Sequence, residues 1–170
     1  MTMNHSIVVM GVAGCGKSSL AAALAKTYDL TLIEGDDFHS QASQEKMRNG
    51  LALMDQDREG WLQVLCAKLK EDAGHVVLSC SALKKTYRDL LRTAVSELRF
   101  IYLELGMDDA KQRVAGRGSD HYFPPSLVES QFKTLEAPLS EALVLKLNAL
   151  DRPQKLQTQV ADWLKLERGL

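Results

Sequence analysis

Apolar and polar positions recur along this chain on two periods. Ile7 to Met10, Leu30 to Ile33, Val76 to Cys80, Phe100 to Leu103 and Leu143 to Leu147 are short apolar runs rich in β-branched residues, the pattern of buried strands. Between them the period lengthens to 3.6. Trp61, Leu62, Leu65 and Leu69 share one face of a predicted helix, and Leu83, Tyr87, Leu90, Leu91 and Ala94 share a face of another. Five strands separated by helices predict a five-stranded parallel sheet with flanking helices. Right-handed crossovers then wind it into a doubly wound α/β layer fold. In open sheets of this kind ligands bind beyond the carboxyl ends of the strands, so the chemistry is sought there.

The end of the first strand carries the sharpest motif. Gly11, Gly16, Lys17 and Ser18 match G-x-x-x-x-G-K-[ST], placed after a strand and before a helix. Glycines let backbone N–H groups curl around a phosphate, and the helix that follows aims its unpaired amides at the same anion. Gly11, Val12, Ala13, Gly14, Cys15, Gly16, Lys17, Ser18 and Ser19 are therefore expected to bind nucleotide. Lys17 is expected to reach the β- and γ-phosphates, and the Ser18 hydroxyl to ligate Mg²⁺. A plain strand-to-helix turn would explain the glycines but not a Lys-Ser pair at the helix start.

Composition narrows the setting. The chain has 170 residues, enough for one well-buried core, and no linker or repeat interrupts it, so a single domain over 1–170 is expected. A formal net charge of -1 supplies no global field to hold nucleic acid or an anionic membrane, which leaves any anion site local. Cys15, Cys66 and Cys80 are odd in number and lack metal-ligand spacing. They read as free thiols in a reducing compartment. The apolar run near the N-terminus is too short for a signal peptide or a membrane span, and a cytoplasmic location is the default.

A P-loop serves switches, motors and small-molecule kinases alike, and the other polar clusters must separate them. "IEGDDFH" crowds Glu34, Asp36 and Asp37 at the end of the second strand. There a carboxylate can orient an acceptor hydroxyl and take its proton while another supports a metal through water. Asp36 is the candidate base, whereas Asp37 fits equally a solvated turn that caps the next helix. "VVLSCS" offers no carboxylate in the Walker B position, and Glu104 after "FIYL" fits a simple surface charge. "DREG" matches D-x-x-G but follows polar residues, and no N-K-x-D guanine reader accompanies it.

"GVAGCGKS", "GDDFH", "KMRNGLALMDQDREGWL", "CSALKKTYRDLLR" and "SQFKTLEAP", in this order from Val9 to about Pro138, resemble the gluconate kinases, relatives in fold of shikimate and nucleoside monophosphate kinases. The resemblance implies ATP-dependent phosphorylation of D-gluconate at its 6-hydroxyl, commonly by a homodimer. The sequence departs from the family where Ala13 and Cys15 replace serines, and where Ser40 and Gly60 replace prolines. A kinase for another small acceptor, such as shikimate or a nucleoside monophosphate, is the alternative within enzymes. A nucleotide-gated binding module is the alternative outside them.

A polyhydroxylated acid needs a cation and several hydrogen-bonding groups. The candidates are Asp36, His39, Lys46, Arg58, Lys84 and Arg88. Lys84 and Arg88 lie four apart on one helical face, a spacing that a solvated basic face with Lys85 and Arg92 also satisfies. Trp61 and the leucines near it read as core. Arg113 and Arg117, beside Gly116 and Gly118, fit a lid over 113–125 that closes on ATP. Lys17, Asp36 and Arg117 are the expected catalytic residues. "NALDRPQKL" after the last strand is the candidate neighbour of the base.

Overall fold

A computed structural model describes residues 5–117 and 123–166. Its five strands are β1 (Ile7–Met10), β2 (Thr31–Glu34), β3 (Val76–Ser79), β4 (Arg99–Glu104) and β5 (Val144–Asn148). All pair in parallel, in the order β2-β3-β1-β4-β5. β1 is central, and its four residues are all 0% exposed. This explains why its sequence is continuously apolar rather than alternating.

Period 2 nevertheless sorts its side chains. Ile7 and Val9 point with Val77, Ile101 and Leu103 into one core; Val8 and Met10 point with Val76, Leu78, Phe100 and Tyr102 into the other. The first core is closed by α1 (Lys17–Tyr28), α5 (Met107–Ala115), α6 (Ser126–Thr134) and α7 (Pro153–Leu166). The second is closed by α3 (Asp55–Glu71) and α4 (Lys85–Arg92). A 3-10 turn (Gly35–Phe38) and α2 (Gln41–Arg48) complete the elements. Neighbouring strands β1 and β3 thus run on to helices on opposite faces, which opens a crevice at their carboxyl ends.

All five predicted strands are present, with ends displaced for local reasons. Leu143 has φ +56°, a left-handed conformation that no strand residue adopts, so β5 starts at Val144. The helix predicted from Leu83 to Ala94 is shorter, because Ala82 at φ +44° turns the chain and α4 starts at Lys85. Within α4, Tyr87 and Leu91 are buried as the periodicity requires, but Leu90 is half exposed and Arg88 is buried in its place.

Candidate active site

The nucleotide side is built from backbone. Gly11 leaves β1 at φ +144°, and a Cβ there would sit 2.7 Å from the Leu103 carbonyl oxygen and 2.8 Å from Cys15 Sγ. Only glycine fits. Gly16 at φ +93° is the N-cap of α1 and supplies no side-chain cap, so the first amides of that helix stay available to an anion. Within the loop, Val12, Ala13 and Cys15 are buried. Lys17 Nζ donates to the Val12 carbonyl at 3.1 Å and lies 4.0 Å from Cys15 Sγ. Ala13 N donates to Gln131 Oε1 of α6 at 2.6 Å.

Oxygen donors converge beside the loop. Ser18 Oγ donates to Glu34 Oε2 at 2.9 Å and lies 3.4 Å from Ser79 Oγ. Glu34 ends β2 and Ser79 ends β3, and the register pairs the two residues directly. Hydroxyls and a carboxylate form the hard-oxygen set that suits Mg²⁺, which takes few protein ligands and shares the rest with phosphate and water. Among the described residues no group of three or more His, Cys, Asp or Glu is arranged to hold a metal by itself.

The facing wall begins at the 3-10 turn. Trp61 Nε1 on α3 donates to the Gly35 carbonyl at 2.7 Å, and the His39 ring stacks on the indole at 4.2 Å between centroids. His39 Nε2 lies 3.6 Å from Asp36 Oδ1, while Nδ1 has no partner among the described residues. The His39 side chain is 6% exposed and that of Asp36 is 83% exposed, so a buried ring backs a carboxylate that faces the open cleft. The surrounding walls desolvate Asp36 and push its pKa up. The adjacent His39 imidazole and the charges of Lys17 and Arg117 outweigh this and hold the carboxyl below the ordinary carboxylate range. Asp36 is therefore ionised at neutral pH and paired electrostatically with the loop lysine across the cleft.

A cleft of about 570 Å³ lies between the two walls, within the range of small-ligand sites. Lys17, Ser18, Ser19, Asp36, His39, Arg58 and Arg117 line it, together with Arg48, Gln44 and Gln131, which the sequence reading did not single out. Arg58 is steadied by Nη1 bonds to the Leu53 carbonyl at 2.8 Å and to Tyr87 Oη at 3.3 Å. Asp37 also lines the cleft. Capping of α2 falls to Ser40, whose Oγ accepts from Ser43 N at 3.1 Å, and not to Asp37. Trp61 is core, as expected, and cleft wall as well.

Three expected acceptor residues lie elsewhere. Arg88 is 0% exposed, and every N–H of its guanidinium is used. Nε and Nη2 grip the Glu141 carboxylate, Nη1 donates to the Ala82 and Leu83 carbonyls, and Nη2 also donates to the Glu136 carbonyl. Arg88 is expected in the acceptor pocket but does not line the cleft: it clamps the turn before α4 to the segment after α6. Lys84 Nζ is held by both Asp55 oxygens at 2.8 Å, and Lys46 Nζ by Asp57 at 2.6 Å; neither lines the cleft.

Arg113 faces the far side of the loop. Nη1 donates to the Gly14 carbonyl and Nη2 to the Ala149 carbonyl, each at 3.2 Å, joining the P-loop to the turn after β5. Of the predicted lid, 118–122, including Gly118, lies outside the described residues. Ser79 and Gln131 were the least visible members of the site. A hydroxyl ending a buried strand in "VVLSCS", and the position of "SQFKTLEAP" in the resemblance, were the signals that could have found them.

The model of the AAA domain family matches residues 7–141. A probable gluconokinase of Schizosaccharomyces pombe is 43% identical over 146 residues, 81% of this chain and 75% of that protein. The crystal structure of a gluconokinase from Sinorhizobium meliloti superposes with a TM-score of 0.88 at 34% identity, covering 99% of this chain and 97% of that one. The shikimate kinase of Aquifex aeolicus, at a TM-score of 0.61 and 16% identity over 96% of this chain and 98% of that one, shares the fold alone. Loop, cleft and aligned length agree, and the chain belongs to the gluconokinase family, built on an AAA-domain P-loop scaffold.

Proposed function

We propose that the protein transfers the γ-phosphoryl group of ATP to the 6-hydroxyl of D-gluconate, giving 6-phospho-D-gluconate and ADP. The observation that carries this is Asp36: a carboxylate kept ionised beside the P-loop, open to the cleft and backed by a buried imidazole. A kinase needs such a group to orient the nucleophilic hydroxyl and accept its proton.

In this reading Gly11 to Ser19 cradle the triphosphate, and the amides at the start of α1 neutralise its charge. Lys17 exchanges its bond to the Val12 carbonyl for the β- and γ-phosphates. Arg117 approaches from the lid side and offsets the charge that develops during transfer. Ser18, with Glu34 and Ser79 behind it, would hold Mg²⁺. Held there, it would supply positive charge against the phosphates. Arg58, with Arg48 in the same wall, holds the gluconate carboxylate, and His39 and Asp36 face the hydroxyls. Arg113 orients the loop from behind, through its bonds to the Gly14 and Ala149 carbonyls.

The buried free thiols Cys15, Cys66 and Cys80 support a reducing, cytoplasmic setting, and the family resemblance supports a homodimer. Among the described residues no helix is long and apolar enough to cross a membrane. The test is ADP release, with magnesium, across a panel of sugar acids, sugars, shikimate and nucleoside monophosphates. Gluconate is expected to stimulate turnover far above every other acceptor. Stimulation by a different member of the panel would replace the acceptor, and stimulation by none would remove the kinase reading.

A further inference from the structure

Gln131 reaches 118 positions back along the chain to the P-loop, and its bond there fixes more than the loop. A backbone amide can only donate, so the atom 2.6 Å from Ala13 N is the side-chain oxygen. The orientation of the whole amide group follows. Its NH₂ is turned away from Ala13 N, Gln131 lines the cleft, and Nε2 has no acceptor among the described residues. Its two donor hydrogens are therefore left for a ligand in the cleft, which Gln131 lines together with Lys17, Ser18, Asp36 and Arg117. The mount is stiff as well. Leu127 and Val128 anchor α6 in the core, and the chain after it is locked to the turn before α4 by the bond from Glu136 N to the Leu83 carbonyl at 2.8 Å and by Arg88.

We propose that Gln131 is a further catalytic residue, whose side-chain NH₂ donates to an equatorial oxygen of the phosphoryl group in flight. Its oxygen remains tethered to Ala13 N throughout, and the other amides of the loop carry the triphosphate. A neutral, pre-aimed donor strengthens as charge moves onto those oxygens and needs no reorganisation at the moment of transfer. The inference rests on the kinase reading but not on the identity of the acceptor. The competing account makes the same oxygen a placeholder that ATP must displace from Ala13 N.

The experiment pairs Gln131→Met, which lacks both contacts, with Gln131→Glu, which keeps an oxygen for Ala13 N and lacks the NH₂. Three quantities are read on the full chain: kcat with the best acceptor, Kd for ATP, and Kd for ADP–aluminium fluoride, which mimics the phosphoryl group between donor and acceptor. Gln131→Met is expected to lose about 10²-fold in kcat, the usual effect of one transition-state donor. It should weaken the aluminium fluoride complex in parallel and shift ATP affinity less than threefold. Gln131→Glu is expected to keep the wild-type melting temperature and to recover none of the lost kcat.

Tighter ATP binding with unchanged kcat in Gln131→Met overturns the proposal in favour of the placeholder. Wild-type kcat in Gln131→Glu overturns it in favour of a tether alone, and so does a kcat loss matched by an equal loss of ATP affinity. The two nucleotide affinities require no acceptor, so a failure of gluconate as substrate is told apart from a failure of Gln131.

Discussion

The two walls of the cleft are made in opposite ways. The nucleotide wall is one contiguous stretch, Gly11 to Ser19, whose recognition groups are backbone amides set by glycines at φ +144° and +93°. The facing wall is assembled from side chains of the 3-10 turn, α2, α3, Arg117 after α5, and α6, which are far apart in sequence. The difference teaches where a site is robust. A backbone cradle depends on local conformation, whereas a side-chain wall depends on which of several similar charges the fold leaves unspent. Arg58 and Arg88 are both arginines near the sheet end. One lines the cleft and the other is consumed by Glu141 and three carbonyls.

The largest expected break between the walls is Asp36→Asn. Turnover should fall by about 10²- to 10⁴-fold, the range for a general base, while ATP affinity in a direct titration stays within threefold. Parallel loss of ATP binding would instead put Asp36 on the nucleotide side. The pH dependence sharpens this. The folded pKa of Asp36 is depressed, so its contribution to stability is present above the unfolded value of about 3.9 and disappears as pH falls through the lower folded value. The acid limb of kcat/KM that belongs to this group is thus expected below the ordinary carboxylate range.

Arg88→Met is expected to act on the fold and not on the site. Removing one partner of a buried ion pair costs about 3–5 kcal/mol, to be read from urea denaturation. Turnover per folded molecule and KM for gluconate should remain near wild type. A raised KM without loss of stability would return Arg88 to the acceptor. Arg58→Met should give the converse, a KM for gluconate raised about 10- to 100-fold, as expected for one charge-assisted hydrogen bond, with KM for ATP unmoved. Lys84→Met is the smallest effect. Its partner Asp55 is largely exposed, so both KM values should stay within threefold in steady-state assays.

The string "GVAGCGKSS" carried its own geometry, because glycine positions and a helix start are local properties. The strands were legible for a similar reason: burial on both faces demands continuous apolar runs, and only their ends moved where Ala82 and Leu143 turn left-handed. Asp36 and His39 were legible as a pair three residues apart at a strand end. Gln131 and Ser79 were not, since a glutamine on a helix and a serine in a strand have many ordinary uses.

From sequence alone came the fold class, the phosphate cradle and the family, all of which depend on periodicity or on contiguous residues. Tertiary structure alone decided the fate of the charges, because pairing energy depends on distance and dielectric, and neither can be read along a chain. It buried Arg88 against Glu141, tied Lys84 and Lys46 to aspartates outside the cleft, and carried Gln131 across to Ala13.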